Sequence, residues 1–133
     1  MLGSLPGEVA FEMDDDILIL HAPVAPDELK RLVERFFGDM VKYVVDVRRE
    51  VIAVGGELHA DAERLLLADG SRQADVWGAN YRPGKGRGDC IEYTALINIR
   101  PSQGNRSMEV EDAALRADVR RITFALLGRG ENL

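Results

Sequence analysis

The densest group of polar side chains that could do chemistry lies in residues 98–107, between a strand-like and a helix-like pattern. Two guanidiniums with amide and hydroxyl neighbours suit a phosphate or carboxylate. We therefore predict that this loop binds a small anionic ligand, although the P-loop pattern is absent. The expected contacts are Asn98, Arg100, Asn105, Arg106 and Ser107. The alternative is a structured loop whose Arg and Asn side chains bond its own carbonyl groups and cap the next helix.

A second polar group has carboxylate, imidazole and carboxylate at spacing two, in Glu57, His59 and Asp61. These could ligate a metal if they shared one face of a strand. The only other histidine is His21, near the N-terminus, so a complete ligand set is not evident. Asp61 could equally cap a short helix. We favour a strand to about residue 58 followed by that helix, and no cofactor is expected.

A second functional hypothesis is that the protein is an enzyme that uses the same histidine. His59 could act as a general base oriented by a nearby carboxylate, with Asp75 as a second catalytic candidate. Arg100 and Arg106 would then lie near the reacting group. This hypothesis requires the imidazole and at least one of the two guanidiniums to share a cleft.

Trp77, the sole tryptophan, precedes Gly78 in a predicted strand. A glycine there would let another part of the chain or a ligand approach closely. Trp77 is interpreted as a core anchor or, alternatively, as a ring that stacks on the ligand.

Strands and helices must position these groups. In chain order the expected elements are a strand at 17–20, a helix from Pro26 to Gly38, a hairpin at 41–55, a short helix ending at Gly70, strands at 75–82 and 91–100, and a helix from Asp112 to Gly128. Strands that cluster in hairpins indicate an α+β fold with a largely antiparallel sheet. We expect the helices to pack on one face of it.

The chain has 133 residues, 46% of them hydrophobic, and a net charge of -6, as in one ordinary globular domain. Residues 1–22 contain five acids and no Lys or Arg. We predict an acidic, disordered arm at 1–16 and a single domain at 17–133. No apolar run is long enough to span a membrane. Cys90 is the only cysteine, so no internal disulfide is possible, and a cytoplasmic location is expected.

Two classes of macromolecular partner can be weighed. Residues 82–106 hold five bases against two acids, which on an acidic chain supports only weak nucleic-acid binding, so that partner is unlikely. A homodimer formed through a sheet edge or an apolar patch is the third functional hypothesis.

Three segments carry a resemblance: Gly55 to Asp61, Asp69 to Gly78, and Ile97 to Ser107. Together they resemble an uncharacterised prokaryotic family, a domain of unknown function, over residues 17–127. The resemblance implies one compact domain. It implies no reaction or substrate.

Overall fold

A hairpin of β-branched residues forms the centre of the sheet. Its strands are β3 (Val41–Asp46) and β4 (Val51–Gly55), and valine and isoleucine pack well on a pleated, buried surface. The Asp46 carboxylate orders the turn between them, because its Oδ1 accepts hydrogen bonds from the backbone N–H groups of Arg48 and Arg49, each at 2.9 Å. The predicted hairpin is confirmed.

The computed structural model describes residues 10–11 and 16–133, with side chains from 16 onward. The other elements are β1 (Ala10–Phe11), β2 (Ile17–Leu20), α1 (Pro26–Phe36), α2 (His59–Ala68), β5 (Val76–Tyr81), β6 (Ile91–Glu92) and α3 (Ala113–Leu126). Within these residues the strands form one antiparallel sheet in the order β1-β2-β4-β3-β5-β6. The α+β class is confirmed.

The helices cover both faces of the sheet, so the expectation of a single covered face is wrong. Leu32 of α1 and Ile122 of α3 pack with Leu18 on one face. Leu66 of α2 packs with Ile19 on the other. The physical reason is that β2 is apolar at every position, and a strand buried on both sides needs a layer on each.

The ten-residue strand predicted at 91–100 ends after Glu92, where β6 ends. Short 3₁₀ turns follow at Leu96–Asn98 and Pro101–Gln103. The Asn98 amide takes the place of a strand there. Its Oδ1 accepts from Gly78 N–H at 2.9 Å and its Nδ2 donates to Gly78 O at 3.0 Å. One side chain thus satisfies both backbone groups of Gly78 at the edge of β5 that β6 leaves unpaired.

Of the predicted arm at 1–16, the structure describes Ala10–Phe11 and Asp16. Ala10 and Phe11 pair with Ile19 and Leu18 of β2. The rest of the predicted arm lies outside the described residues. In the described part of the chain, no helix is long and apolar enough to cross a membrane.

Candidate ligand-binding cavity

Arg100 is enclosed by acceptors from its own chain. Its guanidinium donates to the carbonyl oxygens of Gln73 and Val76, at 2.7 and 2.6 Å, and its Nε donates to that of Ile97 at 3.0 Å. Glu63 of α2 lies 3.4 Å away, and burial raises the pKa of that carboxyl while the guanidinium lowers it. The side chain therefore fixes the start of β5 and has little bonding capacity left for a ligand.

Asn105 holds the same loop from within. Its Nδ2 donates to the carbonyl oxygens of Asn98, Ser107 and Glu109, at 2.8, 3.0 and 2.8 Å. Its Oδ1 accepts from the backbone N–H of Glu111 at 2.9 Å. With the bonds of Asn98, these contacts correspond to the structured-loop alternative.

Arg106 and Ser107 lie at the surface. Ser107 Oγ donates to Glu111 Oε2 at 2.7 Å, and its backbone N–H donates to the same oxygen. The exposed Arg106 guanidinium forms no ion pair within the described residues. Anion binding at this loop stays a prediction that rests on Arg106 alone.

His59 and Asp75 are held by different groups. His59 Nε2 lies 2.9 Å from the carbonyl oxygen of Ala79, in the middle of β5. Asp75 ends the short 3₁₀ turn Gln73–Asp75 directly before β5, and it accepts from Arg48 Nε at 2.9 Å. Across the described residues, no hydrogen bond or ion pair joins the imidazole to a carboxylate that could orient it as a base.

The metal-ligand pattern is broken by the local structure. Helix α2 begins at His59, and residues spaced by two on a helix point about 200° apart. Asp61 instead pairs with Arg64 at 3.1 Å. Over residues 16–133, no group of three His, Cys, Asp or Glu side chains is placed to hold a metal ion, so the structure does not bring Glu57, His59 and Asp61 together as ligands.

Trp77 belongs to the core on the face covered by α1 and α3. The Arg100 guanidinium lies 4.5 Å from the centroid of its ring, an attractive cation–π geometry. This placement corresponds to the core-anchor interpretation.

A cavity of about 400 Å³ lies on the α2 face of the sheet. Its walls are the N-terminal end of α2, the sides of β3 and β5, and the segment that follows β6. The lining residues are Lys42, Leu58, His59, Ala60, Asn80, Thr94, Ala95, Leu96, Ile97 and Met108. Leu58 and Leu96 at its rim are 57% and 71% exposed. The size is that of a small-molecule site, and the lining is largely apolar.

Asn80 places an unpaired acceptor in this lining. The side chain is 8% exposed, and its Nδ2 donates to Glu92 Oε1 at 3.2 Å. A carboxylate only accepts hydrogen bonds, so the amide nitrogen must face Glu92 and the oxygen must face away from it. Asn80 Oδ1 is buried and has no hydrogen-bond donor in the part of the chain described. Such an atom costs roughly 1–3 kcal/mol unless a partner binds it.

His59 is in its neutral form at neutral pH. Burial lowers its pKa and the positive charge of Lys42 lowers it further, while the hydrogen bond to the Ala79 carbonyl and the Asn80 amide beside the ring oppose that shift. Because a carbonyl oxygen only accepts, the proton of the neutral ring is on Nε2. His59 thus ties the first turn of α2 to β5.

Gly78 allows the cavity wall to approach the sheet. A Cβ at this position would lie 2.6 Å from the Ala95 Cβ, 3.1 Å from His59 Cδ2 and 3.2 Å from Ile97 Cδ1. The close approach expected from the sequence is therefore made by side chains of α2 and of the segment after β6.

Sequence reasoning missed Lys42, Asn80 and Thr94. The available signal was a polar residue inside an otherwise apolar strand, which holds for Lys42 in β3 and Asn80 in β5. They are cross-strand partners in the sheet register. Thr94 gave no such signal, because it lies inside the predicted strand at 91–100, where polar and apolar residues alternate.

Comparison with known proteins gives one result. A family model described as "Protein of unknown function (DUF5674)" matches residues 18–126. No curated protein and no solved structure matches the chain. The matched range runs from β2 to the last residue of α3 and contains every residue that lines the cavity.

Proposed function

The chain belongs to the DUF5674 family of unknown function, and we propose that it binds a small molecule in the cavity beside Asn80. The ligand has an apolar body and an N–H or O–H donor. The observation that carries the proposal is the unpaired, buried Oδ1 of Asn80. This oxygen has almost no accessible surface in the unbound chain. On binding, the amide turns toward the cavity, where a ligand donor satisfies the oxygen and the apolar lining buries the rest of the molecule.

The test compares two probes that differ in one donor. Indole carries an N–H, and 1-methylindole has the same ring system without it. Isothermal titration calorimetry on the full chain should show indole binding about tenfold more tightly, the value of one hydrogen bond to a buried acceptor. Equal affinities, or no binding of either probe, would overturn the proposal.

Asn80→Leu supplies the matched variant, because it removes the acceptor at similar volume. We expect this variant to keep 1-methylindole binding and to lose the preference for indole. Gln103→Leu, on the exposed surface of the 98–107 loop, is the control and should retain the preference. A preference that survives in Asn80→Leu would show that the donor binds elsewhere.

A second candidate function is a homodimer that buries the cavity rim. Exposed Leu58, Leu96 and Met108 all line this opening, and apolar side chains grouped at one place favour association. Light scattering over a range of concentrations tests it: a mass that rises toward two chains, and falls in Leu96→Asp, supports the dimer. A mass of one chain at every concentration contradicts it.

The remaining expectations from the sequence stay predictions. These are the cytoplasmic location and the prokaryotic origin. Nucleic acid remains an unlikely partner because Arg82 and Arg100, two of the five bases in residues 82–106, pair with carboxylates of the chain itself.

A further inference from the structure

The cavity is charged as well as apolar, and the inference that follows rests on the proposed function. Among the described residues that line it, Lys42 is the only one charged at neutral pH, and none is an Asp or a Glu. Among the described residues the Lys42 ammonium forms no ion pair, and it lies 5.2 Å from the centroid of the Phe37 ring. The part of the chain that the structure describes thus leaves this cation without a carboxylate to neutralise it.

The first turn of α2 adds positive potential to the same wall. Leu58, His59 and Ala60 line the cavity, and Leu58 is an N-cap residue whose side chain makes no capping bond. The N–H groups of a first helical turn have no partners within the helix. The helix dipole also places partial positive charge at this end. In this ten-residue helix, both contributions favour an anion.

A second observation supports a ligand at this wall. Asn80, buried and unpaired at Oδ1, lines the same cavity. It is the cross-strand partner of Lys42, and opposed residues of an antiparallel pair lie about 5 Å apart at Cβ. One molecule of indole size can therefore reach both side chains.

We infer that the ligand of this cavity is a small apolar acid that also carries an N–H or O–H donor. Lys42 and the N-terminus of α2 hold its anionic group, and Asn80 Oδ1 accepts from its donor. The leucines, Ile97 and Met108 enclose its apolar body.

Three probes of one shape separate this inference from the proposed function. Indole-3-acetate, indole-3-acetamide and tryptamine share a ring and its N–H, and carry negative, no and positive charge. Calorimetry on the full chain at low salt should rank them in that order. The acid should bind about tenfold more tightly than the amide, as a charge-assisted bond to an ammonium does.

Lys42→Met should abolish the preference for the acid, while Lys85→Met, outside the cavity, should retain it. A higher salt concentration should reduce the ratio of the affinities for indole-3-acetate and indole-3-acetamide in the wild type. If acid and amide bind equally, the inferred anionic group is wrong while the donor-binding cavity stands. If neither binds, both proposals are wrong. If the acid preference persists in Lys42→Met, Lys42 does not hold the anion.

Discussion

Arg100 has the residue type of a ligand-binding group and the contacts of a structural one. Its side chain is 8% exposed, stacks on Trp77 and donates to three carbonyl groups. Any substitution leaves those carbonyls, and Glu63, without their partner. A buried charge that loses its partner is strongly destabilising.

Arg100→Leu should therefore lower the free energy of unfolding by about 3 kcal/mol. The matched control is Arg106→Leu, at an exposed position of the same loop, which should change it by less than about 0.5 kcal/mol. Urea unfolding of both variants measures the difference. Equal, small effects would contradict the structural role of Arg100.

His59 links stability to pH. Its pKa is lowered in the folded protein by burial and by Lys42, so the unfolded chain binds the proton more readily. The contribution of His59 to the free energy of unfolding is therefore fully present above about pH 6.5, the pKa of histidine in the unfolded chain. It is lost as the pH falls through and below that value. The loss cannot exceed about 1.4 kcal/mol per pH unit for one proton.

His59→Gln keeps a donor for the Ala79 carbonyl but does not titrate. We expect its free energy of unfolding to fall less steeply than that of the wild type between about pH 7 and pH 5. His21→Gln, at the other histidine and exposed, is the control. Parallel curves for wild type and His59→Gln would show that His59 contributes nothing to the pH dependence.

At the scale of elements, the central hairpin, the three helices and the strand that carries Trp77 could be predicted from the sequence. Apolar periodicity and β-branched runs depend only on the local sequence. Asp112 caps α3 as expected, accepting from Leu115 N–H at 2.9 Å. The strand at 91–100 was wrong because alternation cannot show that the Asn98 amide replaces a neighbouring strand. The 98–107 loop was correctly identified as polar, but its Arg100 and Asn105 side chains donate to carbonyl groups of the chain itself.

A substitution at Gly78 tests how closely β5 and the segment after β6 must pack against each other. Gly78→Ala places a Cβ 2.6 Å from that of Ala95, so β5 and the segment after β6 must separate. We expect a loss of about 2 kcal/mol in the free energy of unfolding and weaker indole binding, since the cavity wall moves.

Gly88→Ala is the control for that substitution. A Cβ there would meet nothing within 4 Å, and the change should leave both stability and indole binding near the wild-type values. Wild-type stability in Gly78→Ala would show that the packing at β5 is looser than the structure has it.

At the scale of the whole molecule, β1 lies outside β2 at one end of the sheet. A chain that begins at Asp16 lacks β1 but keeps both apolar cores and the pairing of β2 with β4. We expect it to unfold cooperatively in urea. Its uncovered β2 edge should promote association at high concentration, measured by light scattering.

A chain that begins at Ala10, and so keeps β1, is the control and should associate less. Loss of cooperative unfolding on removing residues 1–15 would show that the domain does not begin at about residue 17. The truncation also removes four of the five acids in residues 1–22, all but Asp16, and so tests whether those four serve the fold.

The placement of the binding site is tested most directly by nuclear magnetic resonance. Indole-3-acetate is added to the ¹⁵N-labelled full chain, and amide shifts are followed in two-dimensional spectra. We predict that the largest changes fall on the backbone amides of His59, Ala60 and Leu96 and on the side-chain amide of Asn80. Changes centred on Arg106 and Ser107, or no changes at all, would contradict a ligand site in this cavity.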